Sequence, residues 1–420
     1  MKHYGIICPP VRGHLNPFLA VAHELQRRGH RVTVFHMPDL ASNVRAEQVD
    51  FVPIGEGDHP VGSLAQSLAE LGRLSGFAAL RFTVRAVAKT TEMICRDAPR
   101  AVQDAGVDML LVDQTEPAGG SVAEHLGIPF VTFCNALALN REPNVPPPFS
   151  PWSYRESVWA RLRNRLGYTV SDRILAPVWS VLADYRRRWK LPAHKDSEGT
   201  YSRLAQISQL PREFDFPRKF LPSCFYYVGP LRSPELHKVE FPWERLDGRP
   251  LIYASLGTLQ DQKTNLYQCF VEACEGLDVQ LIIAGRSPLS LGPLPENVIA
   301  AAYAPQLELL EKASIAVNHG GLNTVLDALS CGVPMVVIPI TYEQPAIAAR
   351  VVRIGAGEIL PLAQASGNSL RTEIRNIMSA ERYRVNARGM AASIRSAGGV
   401  VRAVDLIESA QERPDASDIQ

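Results

Sequence analysis

Apolar residues in this chain gather in short unbroken runs, and between the runs they recur every three to four positions. Residues 4–8 (YGIIC) form the first run. Residues 17–28 then carry helical spacing, with Pro17 read as the first turn and Gly29 as the stop, and 31–35 (RVTVF) form the next run. Residues 108–113 and 129–133 flank a helical stretch near 119–125. Unbroken runs, unlike alternating ones, predict strands buried on both faces, and their alternation with helices predicts a parallel sheet. The second half repeats the scheme: strands at 251–255, 279–284, 298–301, 315–317 and 335–338, helices near 265–275, 322–330 and 344–353. Between the halves, 229–250 is rich in proline, glycine and charge, which marks a linker. The expected fold class is therefore α/β, with two doubly wound domains.

Composition narrows the class. A chain of 420 residues is too long for one ordinary domain and fits two. A net charge of +1 gives no general attraction to nucleic acid. The seven cysteines include no C-x-x-C pair and sit mostly in apolar runs, so they read as buried thiols of a reducing compartment. The start of the chain leads straight into a strand with no secretory pattern, and no apolar run reaches membrane-spanning length; the expected location is cytoplasmic. Two long insertions, 58–90 and 140–189, interrupt the first half. Between Trp152 and Leu191 stand nine Lys/Arg against three Asp/Glu, with Trp152, Trp159, Trp179 and Trp189 interleaved. Two readings are open there: a surface that touches a membrane from one side, or a pair of pocket-forming helices with solvated basic faces.

The densest chemistry runs from Tyr303 to Gln344. A strand ends at Asn318, His319, Gly320 and Gly321, and a helix opens with Asn323 and Thr324. A helix start behind two glycines presents backbone N–H groups and a positive dipole end, which suits an anion, and His319 and Thr324 can add donors. The following strand delivers Glu343 and Gln344, a pair able to grip adjacent sugar hydroxyls. Ser255, Gly257 and Thr258 end the first strand of the second half, where small residues let backbone approach a phosphate. In the first half His14, in GHLNP, follows the first strand, and Asp113 ends a strand at the same sheet edge. Imidazole can take a proton at neutral pH. The other histidines show no metal-ligand spacing and there is no Asp-x-Asp, so no metal is expected.

Three segments, YASLGTLQ at 253–260, HGGLNTVLDA at 319–328 and QPAIAAR at 344–350, together with GHLNP at 13–17, resemble the nucleotide-sugar-dependent family 1 glycosyltransferases that act on small lipophilic molecules. Within them the likeness is to the bacterial zeaxanthin (carotenoid) glucosyltransferases. It spans nearly the whole chain, and is strong in the second half and weak in the first. The resemblance implies the GT-B fold, two Rossmann-like doubly wound domains facing across a cleft: 1–230 for the acceptor and 231–395 for the nucleotide sugar, with a last helix at about 396–420 packing back on the first. It makes His14 the base and Asp113 the group that fixes the imidazole. It assigns the diphosphate to His319, Gly321, Asn323 and Thr324, the ribose to Asp327, the nucleobase to Tyr303 with Gln306, and the sugar to Glu343 and Gln344. Relatives more often carry Asp at position 343 and Trp at position 303. The implied reaction is inverting and metal-independent, with UDP-glucose as co-substrate, a dTDP-sugar as the second choice, and no resident cofactor. The acceptor is a lipophilic alcohol, either a carotenoid or a macrolide, terpenoid, phenolic or lipid. Two rivals belong to other classes: a nucleotide-sugar epimerase, and a non-catalytic homologue serving as a binding or activator subunit.

Overall fold

The computed structural model describes residues 1–74, 76–233, 239–257, 264–285 and 287–412. The first sheet holds seven parallel strands: β1 (His3–Ile7), β2 (Arg31–His36), β3 (Asp50–Pro53), β4 (Met109–Asp113), β5 (Phe130–Cys134), β6 (Gln206–Ser208) and β7 (Phe225–Tyr227). Their order is β3-β2-β1-β4-β5-β6-β7. The second sheet holds six: β8 (Leu251–Ser255), β9 (Gln280–Ala284), β10 (Val298–Ala301), β11 (Ala313–Asn318), β12 (Met335–Val337) and β13 (Gly357–Ile359), in the order β10-β9-β8-β11-β12-β13. In each sheet the chain winds outward from its first strand and then returns to that strand's other side. The reversal falls between β1 and β4 in one sheet and between β8 and β11 in the other. At such a reversal the neighbouring loops diverge and leave a crevice at the carboxyl ends of the strands.

The cores follow the sequence pattern. Tyr4, Ile6, Val32, Val34, Met109 and Leu111 are buried on one face of the first sheet against Leu15, Phe18 and Leu25 of the helix Arg12–Arg27. The last helix, Gly399–Gln411, adds Ala403, Val404 and Ile407 to that same cluster. Arg28 Nη1 donates to Glu408 Oε2 at 2.6 Å, tying the two helices at the surface. The helix Gly399–Gln411 is thus built into the first domain.

Three elements differ from expectation. The helix containing Pro17 begins five residues earlier, at Arg12, so Pro17 is interior to it. A proline is tolerated there because the only carbonyl it deprives of an amide partner, that of Gly13, finds a donor elsewhere. The insertion at 140–189 holds one 31-residue helix, Val158–Arg188, and no helical pair. The other insertion holds the helix Ser63–Arg73 and the start of a second one, Gly76–Ala105, which runs beyond it.

The two domains meet at a buried ionic cluster. Asp215, between β6 and β7, accepts from Arg350 Nε and Nη2 at 3.1 and 2.9 Å and from Arg218 Nε and the Tyr227 hydroxyl at 3.0 and 2.9 Å. Arg350 lies on the second domain's helix Gln344–Arg353 and also stacks over Phe216. Burial alone would raise the Asp215 carboxyl; the two guanidinium groups overcome it and hold the group well below the usual range. Removing one member of such a cluster leaves an unpaired buried charge, a loss of about 3–5 kcal/mol.

Candidate active site

His14 sits in the first turn of Arg12–Arg27, beyond the carboxyl end of β1, and Asp113 is the last residue of the adjacent β4. The strand register, Ile7 beside Val112, brings the two side chains together: His14 Nδ1 lies 2.9 Å from Asp113 Oδ2. An ionised carboxylate only accepts, so the proton is on Nδ1 and the lone pair is on Nε2. Asp113 is held from all sides. Its Oδ1 accepts from the Thr115 amide and hydroxyl, and its Oδ2 also accepts from Asn135 Nδ2 at 3.0 Å. Burial disfavours its charge, but His14 and the Thr115 donors outweigh that and keep the carboxyl below its ordinary value. For His14, burial disfavours the charged ring, yet the Asp113 carboxylate prevails and sets the imidazole above 6.5, with smaller contributions from Glu343 and Glu116.

Glu116 was not singled out from the sequence. It is buried just beyond β4, its Oε1 has no hydrogen-bond partner, and burial together with the charge of Asp113 pushes its carboxyl up to about 8. At neutral pH it is a protonated acid behind the dyad. The clue was available: a second acid only three residues after Asp113, at the same strand end.

The second sheet's crevice faces the first. Asn318, at the end of β11, lies beside Ser255, at the end of β8, and His319 follows into the cleft. The His319 ring is clasped by two glycines. A Cβ at Gly257 would come within 2.7 Å of its Cε1, and one at Gly321 within 2.6 Å of its Nε2. Between them Gly320 adopts φ +85°, which turns the chain from strand to helix. His319 Nδ1 is buried without a partner, and burial lowers the pKa to about 4, with the Ser255 backbone opposing only in part. The ring is therefore neutral at physiological pH and donates as an imidazole. The Ser255 hydroxyl accepts from the Gly257 amide at 3.2 Å. Thr324 is buried on Leu322–Ser330. Thr258 lies outside the described residues.

Several expected ligand contacts are occupied by protein. Asp327 is buried, and its two oxygens accept from Arg232 Nε and Gln306 Nε2, each at 2.6 Å. Gln306 Oε1 accepts from the Tyr253 hydroxyl, so both ends of that carboxamide are engaged. Asn323 Oδ1 accepts from Gln209 Nε2, and its Nδ2 donates at 3.0 Å to the Gly13 carbonyl left over by Pro17. Asn323 thus bridges the domains one residue from His14. Sequence reasoning had missed Arg232, Gln209 and Asn135, because each acts on a partner more than twenty residues away. Tyr303 lies beyond β10 and is 50% exposed. Gln344 Oε1 accepts from the Ile340 and Thr341 amides at 2.8 and 2.9 Å, leaving its amide group for other use. That loop places Tyr342 at φ +54° and Glu343 close enough to act on the charge of His14. Burial raises the Glu343 carboxyl, offset in part by His14.

Among the described residues no group of three or more His, Cys, Asp or Glu is placed to hold a metal ion. The geometry is that of two facing crevices: one carries a polarised imidazole, the other a neutral imidazole flanked by glycines.

Comparison with known proteins agrees with this layout. Residues 11–136 match the glycosyltransferase family 28 N-terminal domain, and 269–401 match the erythromycin biosynthesis protein CIII-like C-terminal domain. The chain is 36% identical to the zeaxanthin glucosyltransferase of Pantoea ananas, covering 97% of this chain and 96% of that one. It is 34% identical to the zeaxanthin glucosyltransferase of Pseudescherichia vulneris, covering 98% of both. The crystal structure of CalG4, the calicheamicin glycosyltransferase, superposes with a TM-score of 0.78 at 24% identity over 98% of this chain and 99% of that one. The chain belongs to the GT-B family of nucleotide-sugar-dependent glycosyltransferases, on the branch that includes the bacterial zeaxanthin glucosyltransferases.

Proposed function

We propose that the protein transfers glucose from UDP-glucose to a hydroxyl of a carotenoid such as zeaxanthin, with inversion and without a metal. The observation that carries the mechanism is the 2.9 Å bond between His14 Nδ1 and Asp113 Oδ2 at the reversal of the first sheet. It aims the Nε2 lone pair into the cleft. His14 takes the proton of the acceptor hydroxyl as that oxygen attacks the anomeric carbon. The bond from that carbon to the diphosphate breaks, and its electron pair leaves with UDP. The imidazolium so formed is stabilised by Asp113. Attack from the face opposite the leaving group turns an α-linked donor into a β-glycoside.

Charge builds on the departing diphosphate, and the neutral His319 with the Gly321 amide at the start of Leu322–Ser330 meets it with donors. Tyr303 stacks on the uracil, and Glu343 with the free amide of Gln344 holds glucose hydroxyls. Asp327 takes the ribose only after exchanging Arg232 or Gln306 for its hydroxyls. The acceptor is supported by the two zeaxanthin glucosyltransferase relatives and by the long insertions over the first domain.

The test is UDP release by purified protein from UDP-glucose in EDTA, with zeaxanthin and a panel of macrolide, terpenoid, phenolic and lipid alcohols. Release that requires zeaxanthin, persists in EDTA and collapses in His14→Ala supports the whole reading. Release with another alcohol replaces the acceptor, and release only with a dTDP-sugar replaces the donor. Abolition by EDTA sinks the metal-independent mechanism.

A further inference from the structure

The helix Val158–Arg188 covers the first domain with one face and leaves the other to solvent. Ala160, Asn164, Val178, Leu182 and Arg186 are buried beneath it. On the outer side Trp159, Leu162, Leu166 and Val170 are 80%, 47%, 59% and 53% exposed. Steps of three, four and four residues put these side chains on one line, and a run from 159 to 170 spans about 17 Å of helix axis. Contiguous apolar exposure of this kind marks a contact surface.

Beside that line run exposed arginines: Arg161 and Arg165 one position away from it, Arg173 at its end and Arg155 just before the helix. The two acids of the helix are turned to other partners, Asp172 to Arg141 and Asp184 to Arg187. Lys219 grips Glu156 ahead of the helix, and the next residue, Phe220, is 71% exposed. The outer face is therefore apolar along its centre and cationic along its flank. Among the described residues no helix is long and apolar enough to cross a membrane, so contact of this face with lipid is from one side only.

We propose that this face docks on an anionic lipid bilayer, the apolar line entering the interface and the arginines meeting lipid phosphates. A second copy of the chain is the poorer occupant. In a two-fold dimer the same face meets itself, and with both acids of the helix already paired it offers no anionic partner to Arg161, Arg165 and Arg173. The docked face is also linked to the site. The Tyr168 hydroxyl donates to the Val145 carbonyl, and in the same loop Asn140 accepts from Gln114, the neighbour of Asp113. A lipophilic acceptor dissolved in the bilayer then reaches the first-domain crevice without crossing bulk water; this last step rests on the proposed acceptor class, whereas the docking itself does not.

The experiment is vesicle flotation of the full chain, with no donor or acceptor present. Vesicles are of phosphatidylcholine alone or of phosphatidylcholine with phosphatidylglycerol, at low and high salt. The expected result is flotation with the anionic vesicles only, weakened by salt, and reduced at least tenfold in partition coefficient by Trp159→Ser with Leu166→Ser and by Arg161→Gln with Arg165→Gln. Both variants should keep the wild-type melting temperature and their UDP release on a water-soluble acceptor, since none of the four side chains lies in either crevice. Absence of flotation with both vesicle types overturns the proposal, as does flotation that neither variant reduces. A dimer in sedimentation velocity that dissolves in the Trp159 variant overturns it in favour of self-association.

Discussion

The two crevices do opposite things with charge. On the first-domain side the polar groups are already assembled: His14, Asp113, Thr115 and Asn135 are bonded to one another, and Glu116 stands protonated behind them. On the second-domain side Asp327, Gln306 and Asn323 are also bonded within the protein, but the centre of the crevice is not. His319 is neutral with a buried, unpartnered Nδ1, and its neighbours are glycines. The difference fits the roles proposed for the two sides. A proton acceptor needs its basicity set before the substrate arrives, so its polarisation is stored in side chains. A seat for a diphosphate gains by being uncharged and incomplete, because the ligand supplies the charge and the N–H groups need only be in place.

This contrast can be broken at either end. The largest effect is expected from His14→Ala: a fall in kcat/KM of about 10²–10⁴-fold with UDP affinity by calorimetry unchanged. Weakened UDP binding in that variant would mean that the two crevices are not separable. Next is Gly321→Ala. The backbone there, φ −64° and ψ 129°, suits any residue, so only the clash with His319 Nε2 is at issue. A loss on the order of 10²–10³ in kcat/KM is expected, now accompanied by weaker UDP binding. Retained UDP affinity would show that the imidazole is not part of the anion seat.

Asp113→Asn sharpens the first-domain half. A rate loss of about tenfold to a hundredfold is expected at neutral pH. More telling is the pH profile. In the wild type, kcat/KM should fall on acidification with a midpoint above 6.5, because His14 must be unprotonated to act and its pKa is raised. With the carboxylate gone the largest upward influence is lost, and the midpoint should move to lower pH. An unmoved midpoint would assign the titration to another group.

The smallest effect on rate is expected from Glu116→Gln, since a carboxamide resembles the protonated acid present at pH 7. Its signature is in stability. The folded pKa of Glu116, about 8, lies above its ordinary 4.5, so the native state binds the proton more tightly than the unfolded chain. The stabilisation is complete below about 4.5 and is lost as pH rises through about 8. Urea unfolding across that window should show a steeper decline for the wild type than for Glu116→Gln; parallel curves would mean that the carboxyl is not held neutral.

What the sequence disclosed and what it concealed separate along physical lines. The strands of both sheet centres were legible because they are unbroken apolar runs; β3, β6, β7 and β13 are short and carry Asp50, Pro53, Gln206, Ser208, two tyrosines and Glu358, unlike the equally short but wholly apolar β10 and β12. The helix start at Arg12 was misjudged because a proline usually marks a first turn, and nothing local reveals that Gly13 has a donor waiting across the cleft. His14, Asp113 and His319 could be picked out because strand ends and glycines announce them. The engagement of Asp327 by Arg232, and of Asn323 by Gln209 and Gly13, could not be, since such pairings join stretches far apart in the chain and, for Asn323, two different domains.

The ring of Pro17 has a consequence for timing. By withholding one amide hydrogen it leaves the first turn of its helix a strand short in its own lattice, and the missing stitch comes from Asn323 of the other domain. Spreading the domains undoes that stitch in the same turn that carries His14. The His14–Asp113 bond lies within the first domain and survives such a spreading, so what the docked donor half adds is the last tie of the turn itself. Closing the cleft thus completes the hydrogen bonding of a helix start in the opposite domain, and the proline is what leaves that start incomplete until then.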